Sequence, residues 1–279
     1  MKLLDTPILP SDFNLYQIGD THEGTILQHR EGLLETIETI HDDPIGYAVH
    51  MGDEIEAITV DDPRYDAETQ EKATPLQQRD RVIEDFQPIA DKTLVWIWGN
   101  HPQKLAKFGN ITLDVCNRLN IPYGTWTAKL KFHDTHGPMF KAFLTHGIRG
   151  RIVSNAKDYE QQQANLKASL KRKLTHKAGD CLLMSMGHTH LLLVVDPAPK
   201  LYLVDDGNTV KQRYLTPGGT EEYIDPDRRW YTNTGSFLKL YGDGVSGYAE
   251  VAGYDPVELG YVLVKVRDRT IKSVEKVTV

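Results

Sequence analysis

Short apolar runs alternate with amphipathic segments through the first half of the chain, as strands and helices do when they wind around a sheet. The predicted elements are strand 14–18, helix 25–41, strand 46–51, helix 76–90 and strand 94–98. Each strand runs into a glycine and then a polar residue, at Gly19-Asp20, Gly52-Asp53 and Gly99-Asn100. Because open α/β sheets bind ligands at the carboxyl ends of their strands, these residues are the first candidates for a functional site.

The second half of the chain has longer, β-rich apolar runs. The predicted elements are helix 111–119, strands 127–134 and 139–145, helix 156–174, and strands 181–186, 191–195, 200–204 and 258–265. The acidic stretch 54–72 has little apolar periodicity, so we predict a long loop, of a length typical of functional or mobile loops. The simplest architecture for this pattern is an α/β fold in which a second sheet faces the first.

The composition predicts one globular domain over residues 1–279, since a chain of this length can bury a single large core. A net charge of −7 disfavours a protein that coats nucleic acid, although a local basic groove remains open. We expect Cys116 and Cys181 to be buried, reduced thiols. No stretch resembles a signal peptide or a membrane span, so we expect a cytoplasmic protein that does not bind membranes.

Five short motifs rich in histidine and aspartate follow one another along the chain. They are Asp20-Thr21-His22, Gly52-Asp53, Gly99-Asn100-His101, Thr145-His146-Gly147 and Gly187-His188-Thr189-His190. G-N-H and G-H-x-H are the most informative, because chance alone produces them rarely. Asp134-Thr135-His136 repeats the first triplet, but it stands between two predicted strands beside Gly137-Pro138, where a hairpin turn explains it.

The side chains of these motifs form a mixed nitrogen and oxygen ligand set. Carboxylates, imidazoles and one amide oxygen suit manganese, iron, zinc or nickel better than calcium or magnesium. A carboxylate can bridge two cations, and two cations about 3.5–4 Å apart can hold a hydroxide and a phosphate for in-line attack. Asp53 is the candidate bridge.

The order D-x-H, G-D, G-N-H, H-G and G-H-x-H resembles the calcineurin-like metallophosphoesterase superfamily, which includes phosphatases, phosphodiesterases and Mre11-type nucleases. The matching motifs span residues 18–190, and Asn233-Thr234-Gly235-Ser236 looks like the N-x-G-S strand end that often follows them. The resemblance implies a four-layer α/β/β/α sandwich, with two facing mixed sheets flanked by helices. It also implies metal-dependent hydrolysis of a phosphate ester.

Position by position, the resemblance implies two divalent metal ions, for which we expect Mn²⁺, with Fe, Zn or Ni as alternatives. The first ion would be held by Asp20, His22, Asp53 and His190, and the second by Asp53, Asn100, His146 and His188. His101 would be the catalytic residue that hydrogen-bonds the phosphate or protonates the leaving oxygen. The nucleophile would be a metal-bridging hydroxide, available near neutral pH because cations lower the pKa of water.

Two positions depart from the common pattern. G-N-H is usually followed by an acid, but here by Pro102, which removes a carboxylate that would orient His101. The G-D-x-x-D motif ends in Glu56 instead of aspartate. The Asp-Arg-Gly of protein phosphatases is also missing after Asp53, so a phosphodiester substrate is favoured slightly over a phosphomonoester on a small substrate.

Several assignments stay open at the level of the sequence. Arg149 and Arg151 follow His146 and are candidates to clamp a substrate phosphate. The basic residues of helix 156–174 are read as a solvated face, with nucleic-acid binding as the alternative. A scaffold that kept the fold and lost the chemistry is the contrasting class. The sequence determines neither the substrate, nor the metal, nor the oligomeric state.

Overall fold

The computed structural model describes residues 1–72, 74–147, 152–198, 200–215 and 221–279. In these residues the strands are β1 (Lys2–Ile8), β2 (Phe13–Ile18), β3 (Gly46–His50), β4 (Thr93–Trp96), β5 (Thr127–Asp134), β6 (Gly137–Thr145), β7 (Leu183–Met186), β8 (Leu192–Val195), β9 (Lys200–Asp205), β10 (Val210–Leu215), β11 (Trp230–Thr234), β12 (Gly260–Arg267) and β13 (Thr270–Thr278). The α-helices are α1 (Arg30–Asp42), α2 (Pro75–Phe86), α3 (Asn100–Gln103), α4 (Ile111–Leu119), α5 (Tyr159–Leu174) and α6 (Tyr248–Val251).

The strands form two large mixed sheets and one hairpin. The first sheet has the order β13-β12-β2-β3-β4, and its last three strands run parallel to one another. The second has the order β1-β5-β6-β7-β11-β8, in which β6, β7 and β11 are parallel. Strands β9 and β10 form a separate two-stranded sheet. Each large sheet therefore has a set of parallel strands whose carboxyl ends lie at one edge.

Apolar side chains alternate along the strands, so that each sheet has apolar residues on both of its faces. Phe13 and Leu15 of β2 share a core with Phe132 of β5 and Leu144 of β6, which joins the two sheets face to face. The outer face of the first sheet packs against α1, α2 and α4, and the outer face of the second sheet packs against α5. This arrangement is the four-layer α/β/β/α sandwich that the sequence predicts.

A buried polar chain crosses the apolar layer between the sheets. The Gln17 side chain of β2 donates to Ser185 Oγ of β7 at 2.9 Å, and its oxygen accepts from Thr232 Oγ1 of β11 at 2.7 Å. Buried polar groups that are fully hydrogen-bonded specify one arrangement of their neighbours, since shifting either sheet would leave them unpaired. Gln17 thus aligns the strand ends of one sheet with those of the other.

The main differences from the prediction are at element boundaries and edges. Helix α1 begins at Arg30 instead of residue 25, because Thr25 and Gln28 form bridges with Gln70 and Leu238. Strands β1, β10 and β13 were not predicted, since many of their side chains are exposed and their apolar pattern is weak. Helix α2 ends at Phe86 and continues as a 3-10 turn that contains Pro88, a residue without the amide hydrogen that an α-helix needs.

Among the described residues, none of the helices is both long and apolar enough to cross a membrane. Cys116 and Cys181 are free and buried, as the sequence predicts.

Candidate metal centre

Three neighbouring parallel strands deliver the first group of candidate ligands. Asp20 follows β2, Asp53 follows β3 and Asn100 follows β4. An added side chain at Gly99 would collide with the Asp53 carboxylate, and one at Gly52, where φ is +93°, would collide with Nδ1 of the His146 ring. The glycines of G-D and G-N-H are therefore needed for the close approach of the strand ends.

The second sheet delivers the remaining candidate ligands from two parallel neighbours. His146 follows β6, and both His188 and His190 lie in the turn that follows β7. The N-x-G-S segment supports both groups: Ser236 Oγ donates to the Asp20 carbonyl at 2.9 Å, and Asn233 donates to Thr189 between the two histidines. The site thus lies where the carboxyl edges of the two sheets meet.

The backbone of the candidate ligands is strained. Five of the seven have φ between +49° and +72°, namely Asp20, His22, Asp53, His188 and His190. A residue with a β-carbon in this left-handed region costs of order 1 kcal/mol or more and is held there by its surroundings. Such strain concentrates at functional sites, where side chains must be aimed at a shared point.

Asp20, His22 and His190 form one cluster of buried groups. The two Nε2 atoms of His22 and His190 are 3.2 Å apart, and Asp20 Oδ1 lies 3.5 Å from His190 Nε2. Asp20 Oδ1 is fully buried without a hydrogen-bond partner among the described residues. The three side chains lie close enough to share one metal ion.

Asp53, His146 and His188 form a second cluster, and these three side chains also lie close enough together to share one metal ion. His146 Nε2 lies 3.1 Å from Asp53 Oδ2 and 2.8 Å from Asn100 Oδ1. His188 Nδ1 lies 2.6 Å from the same Asn100 oxygen. His188 and His190 are two residues apart, and the turn sends each of them to a different cluster.

Hydrogen bonds at the far side of two imidazoles show that these clusters fit cations. His146 Nδ1 lies 2.8 Å from the Met51 carbonyl, and His22 Nδ1 lies 2.5 Å from Glu56 Oε2, so each Nδ1 carries the proton and donates. In the neutral ring, Nε2 then presents a lone pair. Nε2 of His146 faces oxygens of Asp53 and Asn100, so a cation that replaces the proton on Nε2 would be shared by all three side chains.

Burial and neighbouring charges act in opposite directions on the pKa values of these groups. Burial raises the pKa of Asp20 to about 7. Burial alone would lower the pKa of His146, but the Asp53 carboxylate raises it to about 9. Burial, together with the nearby His146, lowers the pKa of His188 to about 4, and burial also lowers that of His190. His188 and His190 are therefore neutral at pH 7, which is the form that binds metals.

Glu56 contacts two histidines of the site. Its carboxylate accepts from His22 Nδ1, and its backbone carbonyl accepts from His101 Nδ1 at 2.5 Å. Glu56 Oε2 also lies 3.5 Å from His101 Nδ1, and the backbone N–H of His101 donates to Asp53 Oδ1 at 2.8 Å. Glu56 thus supplies the orientation that an acid after G-N-H would give, in place of Pro102.

A pocket of about 800 Å³ opens over the candidate metal centre. Asp53, Asn100, His101, His188 and His190 line it, together with parts of loop 54–72, α5 and segment 240–258. Arg64 of loop 54–72 pairs with Asp62 at 2.8 Å, and its guanidinium lies 5.3 Å from the ring centroid of Tyr248 in α6. Tyr248 is not predicted as a site residue from the sequence, because its glycine-rich surroundings carry no motif.

Three other groups of residues stand out in the sequence. Arg149 and Arg151 lie outside the described residues. The repeated triplet at 134–136 forms the β5–β6 turn, where Asp134 accepts from the His136 N–H and pairs with Arg269 at 2.6 Å. In the basic part of α5, Lys171 pairs with Asp227.

No family model and no curated protein matches the sequence. A Streptococcus pneumoniae TIGR4 protein described as a predicted phosphoesterase is 12% identical, with a TM-score of 0.32 over 96% of this chain and 98% of that one. Chaetomium thermophilum Vps29 is 12% identical, with a TM-score of 0.35 over 95% and 97%. Haemophilus influenzae NAD nucleotidase is 11% identical, with a TM-score of 0.38 over 96% and 50%. At these values the likenesses identify neither a substrate nor a reaction.

Proposed function

We propose that this chain hydrolyses phosphate esters with two divalent metal ions and that its substrate is a phosphodiester. The observation that carries the proposal is the convergence of two clusters of ligand atoms at the meeting edge of the sheets, each close enough to share one metal ion, with Nε2 of His146 within 3.1 Å of oxygens of both Asp53 and Asn100. When bound, the two ions would lower the pKa of a water molecule and polarise the phosphate.

The proposed ligand sets follow the two clusters. Asp20, His22, Asp53 and His190 hold the first ion, and Asp53, Asn100, His146 and His188 hold the second. The mixed nitrogen and oxygen set favours Mn²⁺, with Fe, Zn and Ni as alternatives. His22 and His146 are kept in the ligating tautomer by Glu56 and by the Met51 carbonyl.

His101 and Arg64 are the protein groups proposed to contact the ester. His101 uses Nδ1 to donate to the Glu56 carbonyl, which leaves Nε2 for a phosphate or leaving-group oxygen. Arg64 lines the same pocket with a guanidinium that can pair with phosphate oxygens. A pocket of about 800 Å³ has room for a group on the far side of the phosphate, which supports a diester over a phosphomonoester.

The test is hydrolysis of bis-p-nitrophenyl phosphate and p-nitrophenyl phosphate with and without Mn²⁺. We expect turnover that requires the metal and is faster for the diester. His22→Ala should lower kcat/KM on the order of 100-fold or more, because it removes a proposed ligand. The repeated triplet provides the matched control: His136→Ala changes an exposed turn residue of the same motif and should leave kcat/KM unchanged.

A folded, metal-loaded protein that turns over neither compound would refute the proposal. Metal analysis of the same sample separates the enzyme from the alternative scaffold. We expect about two equivalents of metal per chain for a two-metal enzyme, and far less for a scaffold.

A further inference from the structure

Helix α5 contributes a polar face to the pocket above the metal centre. Tyr159, Gln162, Gln163 and Leu166 line the pocket, and their i, i+3, i+4, i+7 spacing places them on one side of the helix. The same stripe continues as Leu166, Leu170 and Leu174, which are buried against the second sheet. The first turns of α5 therefore carry a tyrosine and two amides where continued core packing would call for leucines.

The amides of this face have no hydrogen-bond partners among the residues that the structure describes. Gln162 and Gln163 are half-buried, and no described protein group bonds to the amide of either side chain. Gln161, one position earlier, bonds through its amide to Asn165 Oδ1 at 2.9 Å on the exposed side of the helix. An amide that is partly removed from water and left unpaired costs free energy, and a ligand that completes its hydrogen bonds would remove this cost.

The tyrosine ring and the two amides on this face of α5 are suited to bind a ligand with a planar ring and polar edges. A glutamine amide presents a donor and an acceptor side by side, which matches the neighbouring donor and acceptor atoms of a nucleobase edge. Tyr159 is 68% exposed at the rim of the pocket and offers a ring on which a base can stack. A volume of about 800 Å³ accommodates a nucleoside together with a phosphate at the metals.

We propose that Tyr159, Gln162 and Gln163 form a nucleobase subsite, so that the substrate is a nucleoside phosphodiester. This inference rests on the proposed phosphoesterase function and narrows its substrate class. The base would lie against α5 while the phosphate occupies the metal centre.

The test compares two diesters that release the same leaving group. These are the p-nitrophenyl ester of thymidine 5′-monophosphate and methyl p-nitrophenyl phosphate, each assayed with the Mn²⁺-loaded protein. We expect kcat/KM to be about tenfold or more higher for the thymidine ester, because stacking and amide contacts stabilise its base. Tyr159→Ala and the double variant Gln162→Ala with Gln163→Ala should remove this preference without changing the rate of the methyl ester.

Gln161→Ala is the matched control, since it changes the same residue type on the same helix away from the pocket. It should leave both rates unchanged. Equal kcat/KM for the two esters in the wild type, or a preference that survives both α5 variants, would overturn the subsite while leaving the phosphoesterase intact. No turnover of either ester would refute the phosphoesterase function itself.

The base could belong to a mononucleotide or to single-stranded nucleic acid, and competition separates the two sources. Thymidine 5′-monophosphate and an oligothymidylate are each added to the assay with the thymidine ester. Inhibition by the mononucleotide alone places the subsite in a closed pocket, and stronger inhibition by the oligomer places it in a groove open to a polymer. Inhibition by neither would contradict the base subsite.

Discussion

At the scale of the residue, Glu56 orients two histidines at once. Its carboxylate accepts from His22 Nδ1 and its carbonyl accepts from His101 Nδ1, each at 2.5 Å. Burial alone would raise the pKa of Glu56, but the nearby His101 and His22 imidazoles lower it, so the carboxylate is ionised at pH 7. An ionised partner on Nδ1 makes Nε2 of His22 a stronger metal ligand.

Glu56→Gln should weaken metal binding at the first cluster. The substitution keeps the shape of the side chain but removes the charge behind His22, and such changes lower metal affinity about 10- to 100-fold. Titration calorimetry with Mn²⁺ should show a larger dissociation constant for one of the two ions.

Glu54→Gln is the control for this prediction. Glu54 is also buried in the same loop, but it bonds to Thr112 instead of a histidine of the site. Its substitution should leave both dissociation constants near the wild-type values. Wild-type affinity in Glu56→Gln would show that Glu56 does not tune the metal site.

At the scale of the element, two loops from distant parts of the chain meet over the candidate metal centre. Loop 54–72 supplies Arg64 and segment 240–258 supplies Tyr248, and the guanidinium and the ring centroid lie 5.3 Å apart. Asp62 fixes Arg64 through two contacts, Nε to Oδ1 at 3.0 Å and Nη2 to Oδ2 at 2.8 Å. The guanidinium is therefore held in place before a substrate arrives.

Arg64→Ala should raise KM for a phosphodiester about tenfold or more, because a charge-assisted hydrogen bond to a phosphate is lost. The expected change in kcat is smaller, since the metal ligands are untouched. Steady-state kinetics with bis-p-nitrophenyl phosphate give both constants. Arg118→Ala is the control, because Arg118 pairs with Asp114 on the surface of α4 away from the pocket. An unchanged KM in Arg64→Ala would exclude a contact with the substrate.

At the scale of the whole molecule, the candidate metal centre lies where the two sheets meet. Asp20, Asp53 and Asn100 come from one sheet, and His146, His188 and His190 come from the other. At their meeting edge the two sheets bring buried carboxylates and imidazoles close enough to share metal ions. Bound ions would therefore stabilise the folded state as well as the reaction.

Removing the metals with a chelator should lower Tm by roughly 5 °C or more, because binding well above the dissociation constant adds several kcal/mol. Thermal unfolding measured before chelation, after it, and after Mn²⁺ is added back gives the shift. A variant with both Asp20→Asn and Asp53→Asn has lost the carboxylates of both sites and should show no shift. Equal Tm values for the stripped and reloaded wild type would contradict a metal link between the sheets.

The sequence by itself determined the main elements, the two-sheet sandwich and the identity of the candidate ligands. Apolar periodicity identifies β2, β3 and β4 because they are buried on both faces, and a glycine followed by a polar residue identifies their carboxyl ends. G-N-H and G-H-x-H are informative because few other structures need those residues in that order.

Only the tertiary structure decided which groups face one another. The family resemblance already implied that His188 and His190 belong to different ion sites, and the structure adds the means: strained backbone at both residues turns them toward separate clusters. Arg64, Tyr248 and the amide face of α5 reach the site from segments without a motif, so no local sequence pattern predicts them, and the G-D-x-x-D motif that ends in Glu56 does not show which histidines Glu56 contacts. Their roles depend on contacts between residues far apart in the chain, and these exist only once the two sheets have packed together.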